Sequence, residues 1–240
     1  MNTREFDIDN YYLERDEMLS QVFPALMRKV YLWMTLALTI TGMTAYGVAT
    51  SPNIQALIFQ NTAIFWGLMI GELALVMIVS AGINRLSLTT ATLLFALYSV
   101  LNGVTMSSIF LVYTAASIAK VFFITAATFA AMAFYGYTTK RDLSRMGALL
   151  FMALIGLIIA TVVNIFLKSS GLDLILSYGG VLIFVGLTAW DSQKIKKMLS
   201  TQYDMSEGAQ KLALLGALSL YLDFINLFLY LLRILGNRNN

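Results

Sequence analysis

Long uncharged apolar stretches separated by short charged punctuation run through the chain. Residues 30–71 carry no charge over 42 positions, with Ser51-Pro52-Asn53 in the middle. That pattern predicts two membrane-length helices and a turn, the second helix holding Glu72 and ending near Gly82. Residues 86–119, 121–139, 146–167 and 174–190 are uncharged over 34, 19, 22 and 17 positions. They predict a span from about Leu88 to Val112, a loop at Tyr113–Ser117, and three further spans, the last closing at Asp191. A final apolar stretch from about Leu212 to Leu235 contains Asp223. A helix needs roughly 20 apolar residues to cross a bilayer, and on that measure the chain has seven spans. Ser192–Gln210 is the only long polar connection, and no repeat or low-complexity stretch interrupts the pattern.

Composition agrees. Of 240 residues, 59% are hydrophobic and 12% charged, against roughly 45–50% and about 25% in soluble domains. The mean hydropathy is +0.76. This excludes disorder and a small disulfide scaffold, and predicts an all-α integral membrane protein. Cys and His are absent, which removes thiol nucleophiles, the usual zinc sites and imidazole relays. Proton chemistry falls to carboxylates, Lys and Tyr. No basic patch is interleaved with aromatics, so no nucleic-acid partner is expected.

With the N-terminus in the cytoplasm, the inner segments hold Arg4, Arg15, Arg28, Lys29, Arg85, Lys140, Arg141, Arg145, Lys194, Lys196, Lys197 and Lys211. The outer ones hold Lys120, Lys168, Arg233 and Arg238. Twelve against four is a positive-inside bias and sets the C-terminus outside. The acidic, polar start has no signal-peptide pattern. The expected organisation is a cytoplasmic tail at 1–24, broken from the first span at Pro24, a membrane domain at 25–236 and a short tail at 237–240.

Ionisable residues at bilayer depth are expensive and therefore candidates for function. Glu72, Asp191 and Asp223 qualify, while Arg85 and Arg233 sit near helix ends where they can snorkel. Span seven is the most informative. Ser219, Asp223, Asn226, Tyr230 and Arg233 follow one another at steps of 4, 3, 4 and 3, which places them on one helix face, and Gly216 extends the stripe. Such a face turns toward other helices or a water-filled path. For Ser219, Asn226 and Tyr230, interhelical packing and a pore lining both remain open. Asp223, near mid-span, points to function. Asp191 is either functional or an interfacial carboxylate paired with Lys194 or Lys196. Glu72 and Arg233 lie at depths that allow a structural ion pair. Small residues crowd spans three and four, for example Ser99, Gly103, Ala126 and Ala130, and predict close packing.

The stretches Gly186-Leu187-Thr188-Ala189-Trp190-Asp191-Ser192-Gln193-Lys194-Ile195 and Leu218-Ser219-Leu220-Tyr221-Leu222-Asp223-Phe224-Ile225-Asn226-Leu227-Phe228 resemble the two C-terminal signatures of the Bax inhibitor (transmembrane Bax inhibitor motif) family. Tyr31-Leu32-Trp33-Met34 and Tyr98-Ser99-Val100-Leu101-Asn102-Gly103 also fit, and the resemblance covers about residues 25–236. The short C-terminal tail suggests a bacterial member. The resemblance implies a seven-helix bundle with the last helix central. It implies a pH-sensitive calcium leak channel, or a modulator of cell death or of membrane proteolysis. Asp191 and Asp223 match the family's pH-sensing aspartates, Arg85 matches a basic latch on span two, and Glu72 with Arg233 matches a pair joining spans two and seven. The Ser192–Gln210 linker looks longer than in compact bacterial members. Two carboxylates in contact share a proton and titrate as a unit. Their oxygens suit Ca²⁺ in transit, and weak binding is what conduction requires.

Two aspartates on late helices also resemble intramembrane aspartyl proteases. Those carry Gly-x-Gly-Asp, where this chain has Leu220-Tyr221-Leu222-Asp223, so an enzyme is not expected. An interaction protein restraining a membrane protease, docked through the acidic tail Met1–Gln21, is the alternative. A secondary transporter would need paired broken spans, whereas Pro24 and Pro52 fall outside the predicted helix interiors. The expectation is a multi-pass protein of the bacterial inner membrane, with lipid, Ca²⁺ and protons as partners and no cofactor beyond the permeant ion.

Overall fold

Most interruptions of the apolar runs supply a helix cap. The side chains of Asn61, Ser87, Thr114, Ser169 and Ser206 each accept a hydrogen bond from a backbone N–H in the first turn that follows, which satisfies donors a new helix leaves free. The computed structural model describes residues 3–239, with side chains from residue 21 onward. Its elements are α1 (Thr3–Ala49), α2 (Pro52–Phe59), α3 (Thr62–Gly82), α4 (Leu88–Met106), α5 (Ile109–Val112), α6 (Ala115–Thr138), α7 (Ser144–Leu167), α8 (Ser170–Leu199) and α9 (Glu207–Leu235). Among the described residues, seven stretches are long and apolar enough to cross a membrane: Gln21–Ala49, Thr62–Gly82, Leu88–Val112, Ala115–Thr138, Ser144–Leu167, Ser170–Leu199 and Glu207–Leu235. The expected all-α membrane fold is present.

Several boundaries differ from the sequence expectation. Pro24 lies inside α1 rather than breaking it. It removes one backbone donor, but Leu26, Met27, Val30, Met34 and Ala37 bury a continuous face that keeps the helix docked. The first connection is not a simple turn, because α2 occupies it. Span three breaks at Ser107–Ser108 into α4 and α5. Asp191 does not close the sixth span. Helix α8 runs on to Leu199, with Ile195 and Leu199 buried and Lys194 and Lys197 turned outward. With α9 starting at Glu207, the connection is only Ser200–Ser206. The charges read as a polar linker are the wet face of an amphipathic helix end.

Helix α9 is the most buried span and packs against α1, α4, α6 and α8, whereas α3 packs mainly on α4 and α7 on α8. The chain end is clipped to the α5–α6 junction: Thr114 N–H donates to the Asn237 carbonyl at 3.1 Å, and Asn239 N–H to that of Val112 at 2.9 Å.

Backbone proximity fixes α8 against α6. A Cβ at Gly136 would overlap the Ala189 carbonyl oxygen, two residues before Asp191, while one at Gly156 on α7 would meet nothing within 4 Å. Gly136→Ala is therefore expected to destabilise the fold by about 1–3 kcal/mol, the range for overpacking. Gly156→Ala should stay within about 1 kcal/mol of the parent. Thermal unfolding in detergent checks this, and equal melting of the two variants would contradict the close approach.

Candidate functional site

Two contacts set the antiparallel register of α8 and α9. A Cβ at Gly216 would come within 3.1 Å of Ile195, and one at Gly180 within 2.6 Å of the Tyr230 ring. Along that register Asp223 lies opposite Leu187–Thr188, and Asp191 is three to four residues further along α8, about one helical turn. The two aspartates are electrostatic neighbours. Asp223 is 5% exposed and its Oδ2 has no hydrogen-bond partner; Asp191 is half-buried. The Ser192 hydroxyl, beside Asp191 in sequence, is likewise buried without a partner. Buried polar atoms in native folds are nearly always satisfied, so an orphaned carboxylate oxygen beside a second carboxylate suits a bound proton or cation. Among the described residues no group of three or more possible metal-binding side chains forms.

Lys194, exposed and one turn after Asp191, acts electrostatically on both carboxylates without pairing with either among the described residues. Its Nζ lies 5.0 Å from the centroid of the Trp190 ring. The expected latch, Arg85, is exposed in the turn between α3 and α4 and forms none of the ion pairs among the described residues. It lies beyond the end of α3, a helix packed mainly against α4. Gln193, not singled out by the sequence reading, is buried and clamps the α6–α7 turn. Its Oε1 accepts from Leu143 N–H at 2.9 Å and its Nε2 donates to the Arg141 carbonyl at 2.7 Å.

Asp142, in that turn and outside the spans, is held down at about 2 by hydrogen bonds from Lys197 and Ser144. Its depressed value favours the fold above its ordinary 3.8, a contribution lost only as pH falls through about 2. It stays ionised between pH 6 and 8, and so contributes nothing to a response in that window.

Ser219, Asn226 and Tyr230 are half-buried along one edge of α9. Asn226 Nδ2 donates to the Leu222 carbonyl at 2.8 Å. Tyr230 stacks on Phe184 with centroids 5.9 Å apart. The expected Glu72–Arg233 pair does not form. Arg233 faces Asp173 at 3.9 Å and lies over the Tyr230 ring. Glu72 instead accepts from Thr105 Oγ1 at 2.8 Å and Asn102 Nδ2 at 3.3 Å. It turns toward α4 because α3 packs there and not on α9.

That contact continues into a buried polar chain. Tyr221 OH donates to Asn102 Oδ1 at 3.1 Å and lies 2.7 Å from Thr41 Oγ1, which reaches the Ser99 carbonyl at 2.9 Å. The network ties α1, α3, α4 and α9 together. Tyr221 precedes Asp223 by two residues, so it faces away from the aspartate stripe. A tyrosine inside an apolar span was the signal available in the sequence.

Seven membrane-length helices and a buried acidic site between the last two define a multi-pass α-helical membrane protein. The chain belongs to the Bax inhibitor family: the family described as "Inhibitor of apoptosis-promoting Bax1" matches residues 24–240. It is 54% identical over 214 residues to inner membrane protein YbhL of Escherichia coli (strain K12), covering 88% of this chain and 91% of that one. It is 49% identical over 214 residues to an uncharacterized protein of Borreliella burgdorferi, covering 89% and 92%. Identity to uncharacterized protein RP147 of Rickettsia prowazekii is 47% over 214 residues, covering 89% and 90%.

Proposed function

We propose that the chain is a pH-sensitive calcium leak channel of the bacterial inner membrane, gated by Asp191 and Asp223. The observation that carries the reading is the buried Asp223 Oδ2, which has no hydrogen-bond partner and lies beside a second carboxylate. A proton shared by the pair holds α8 and α9 together. Its loss leaves two like charges in one site, which repel or attract a divalent cation. Two carboxylates supply fewer oxygens than the roughly 6–8 ligands of a tight Ca²⁺ site, so the ion passes rather than stays. Lys194 offsets part of the charge, and Ser219, Asn226 and Tyr230 line the remainder of the path along α9. The N-terminus is cytoplasmic, which puts the lysine-rich end of α8 on the same side. The protein is a conduit and not an enzyme, and needs no cofactor.

Purified protein in liposomes loaded with a calcium dye tests this. The expected result is Ca²⁺ leak well above that of empty liposomes, at a rate that differs between pH 6 and pH 8. Flux equal to empty liposomes across that range would end the channel reading.

A further inference from the structure

A lateral groove of about 640 Å³ opens between α1 and α6, with Phe224 of α9 at its floor. Its walls are mainly apolar, including Met34, Phe129, Ala130 and Phe134. At one end stand Arg28, Tyr31 and Tyr137. Arg28 is exposed and takes part in none of the ion pairs among the described residues. From Tyr137 to Ala126, both lining residues, the groove follows α6 for eleven residues, or ~16 Å at the helical rise. That is about half of a hydrocarbon core ~30 Å thick, the depth of one leaflet.

We propose that this groove binds one anionic phospholipid, an acyl chain lying along Met34, Phe129 and Ala130 and the phosphate held by Arg28 with the hydroxyls of Tyr31 and Tyr137. Three features select this occupant. The groove sits at bilayer depth and opens sideways, where lipid is the surrounding molecule. It is one leaflet long, which matches a single chain and falls short of a helix that crosses the membrane. Among the described residues its single charged lining residue is a cation at the interfacial end, which complements a phosphate group and leaves the deeper walls to the chain. The floor residue Phe224 packs edge-to-face on Phe129 with centroids 5.4 Å apart and directly follows Asp223, so the bound chain would rest one residue from the aspartate site.

The test is native mass spectrometry of delipidated full-length protein titrated with phosphatidylglycerol or phosphatidylcholine, a readout independent of ion flux. Wild type should retain phosphatidylglycerol about fivefold better, the factor for one basic residue at an anionic surface. Arg28→Gln should bring the two lipids to equal retention. Ala130→Trp, which fills the groove, should reduce retention of both, and Lys120→Gln should change neither. If Ala130→Trp fails to fold, Ala126→Leu is the second filling variant, and the wild-type preference is read in either case. Equal retention by wild type would overturn the proposal. So would a preference that survives Arg28→Gln, which would move the site to the pocket that Lys140, Arg141 and Lys197 line between the α6–α7 turn and the end of α8, or dimers appearing as lipid is removed, which would make a second copy the occupant.

Discussion

Asp191→Asn and Asp223→Asn are each expected to remove most of the pH response of Ca²⁺ flux, and the double variant little more. In the proposed mechanism the two carboxylates, about one turn apart across α8 and α9, titrate as a unit, so neither carries the response without the other. Independent sites would add their effects, whereas a coupled unit loses its function at the first substitution. Flux in liposomes at several pH values between 6 and 8, for wild type and the three variants, reads the outcome. A single variant that keeps the full wild-type response would sink the paired mechanism. Lys194→Gln should keep a pH response but move its midpoint, because it alters the field on both aspartates while leaving the pair intact.

The largest stability effect is expected at Tyr221. The side chain is fully buried, its ring meets Phe95 and Tyr98 edge-on at 5.6 and 5.7 Å, and its hydroxyl joins Thr41 to Asn102. Tyr221→Ala removes all three and should destabilise by ~3–5 kcal/mol, the range for deleting a buried aromatic. Tyr221→Phe keeps the ring contacts but leaves the buried Asn102 Oδ1 without its donor, and should lose about 1–3 kcal/mol. Thermal unfolding in detergent separates the two, and similar melting of both variants would mean that the hydroxyl network, not ring packing, dominates.

The difference between these two sites shows how far the residues could be read in advance. Asp223 stood out because a carboxylate in the middle of an apolar run is costly wherever it points, and the steps of 4 and 3 around it gave its face. Tyr221 did not, because tyrosine is ordinary in an apolar span until its hydroxyl partners are known. Those partners lie 119 and 180 residues away in sequence. Glu72 and Arg233 were matched by depth and by the family resemblance. Depth does not say which helices touch, and α3 turned Glu72 toward Asn102 and Thr105.

The sequence by itself determined the seven spans, the all-α class and the polar stripe of the last helix. Those follow from bilayer thickness and helical period, which act on each segment alone. Tertiary structure decided the rest. The basic residue that acts on both aspartates is Lys194, because α8 runs on to Leu199 and carries the lysine one turn past Asp191. The linker shrank to Ser200–Ser206 because Ile195 and Leu199 found a core to bury against. Which helices meet, and so which charges face each other, is set by close approaches such as Gly136 on Ala189 and Gly216 on Ile195. Those approaches pair residues far apart in the chain, and the pattern of any one segment carries no record of its partner.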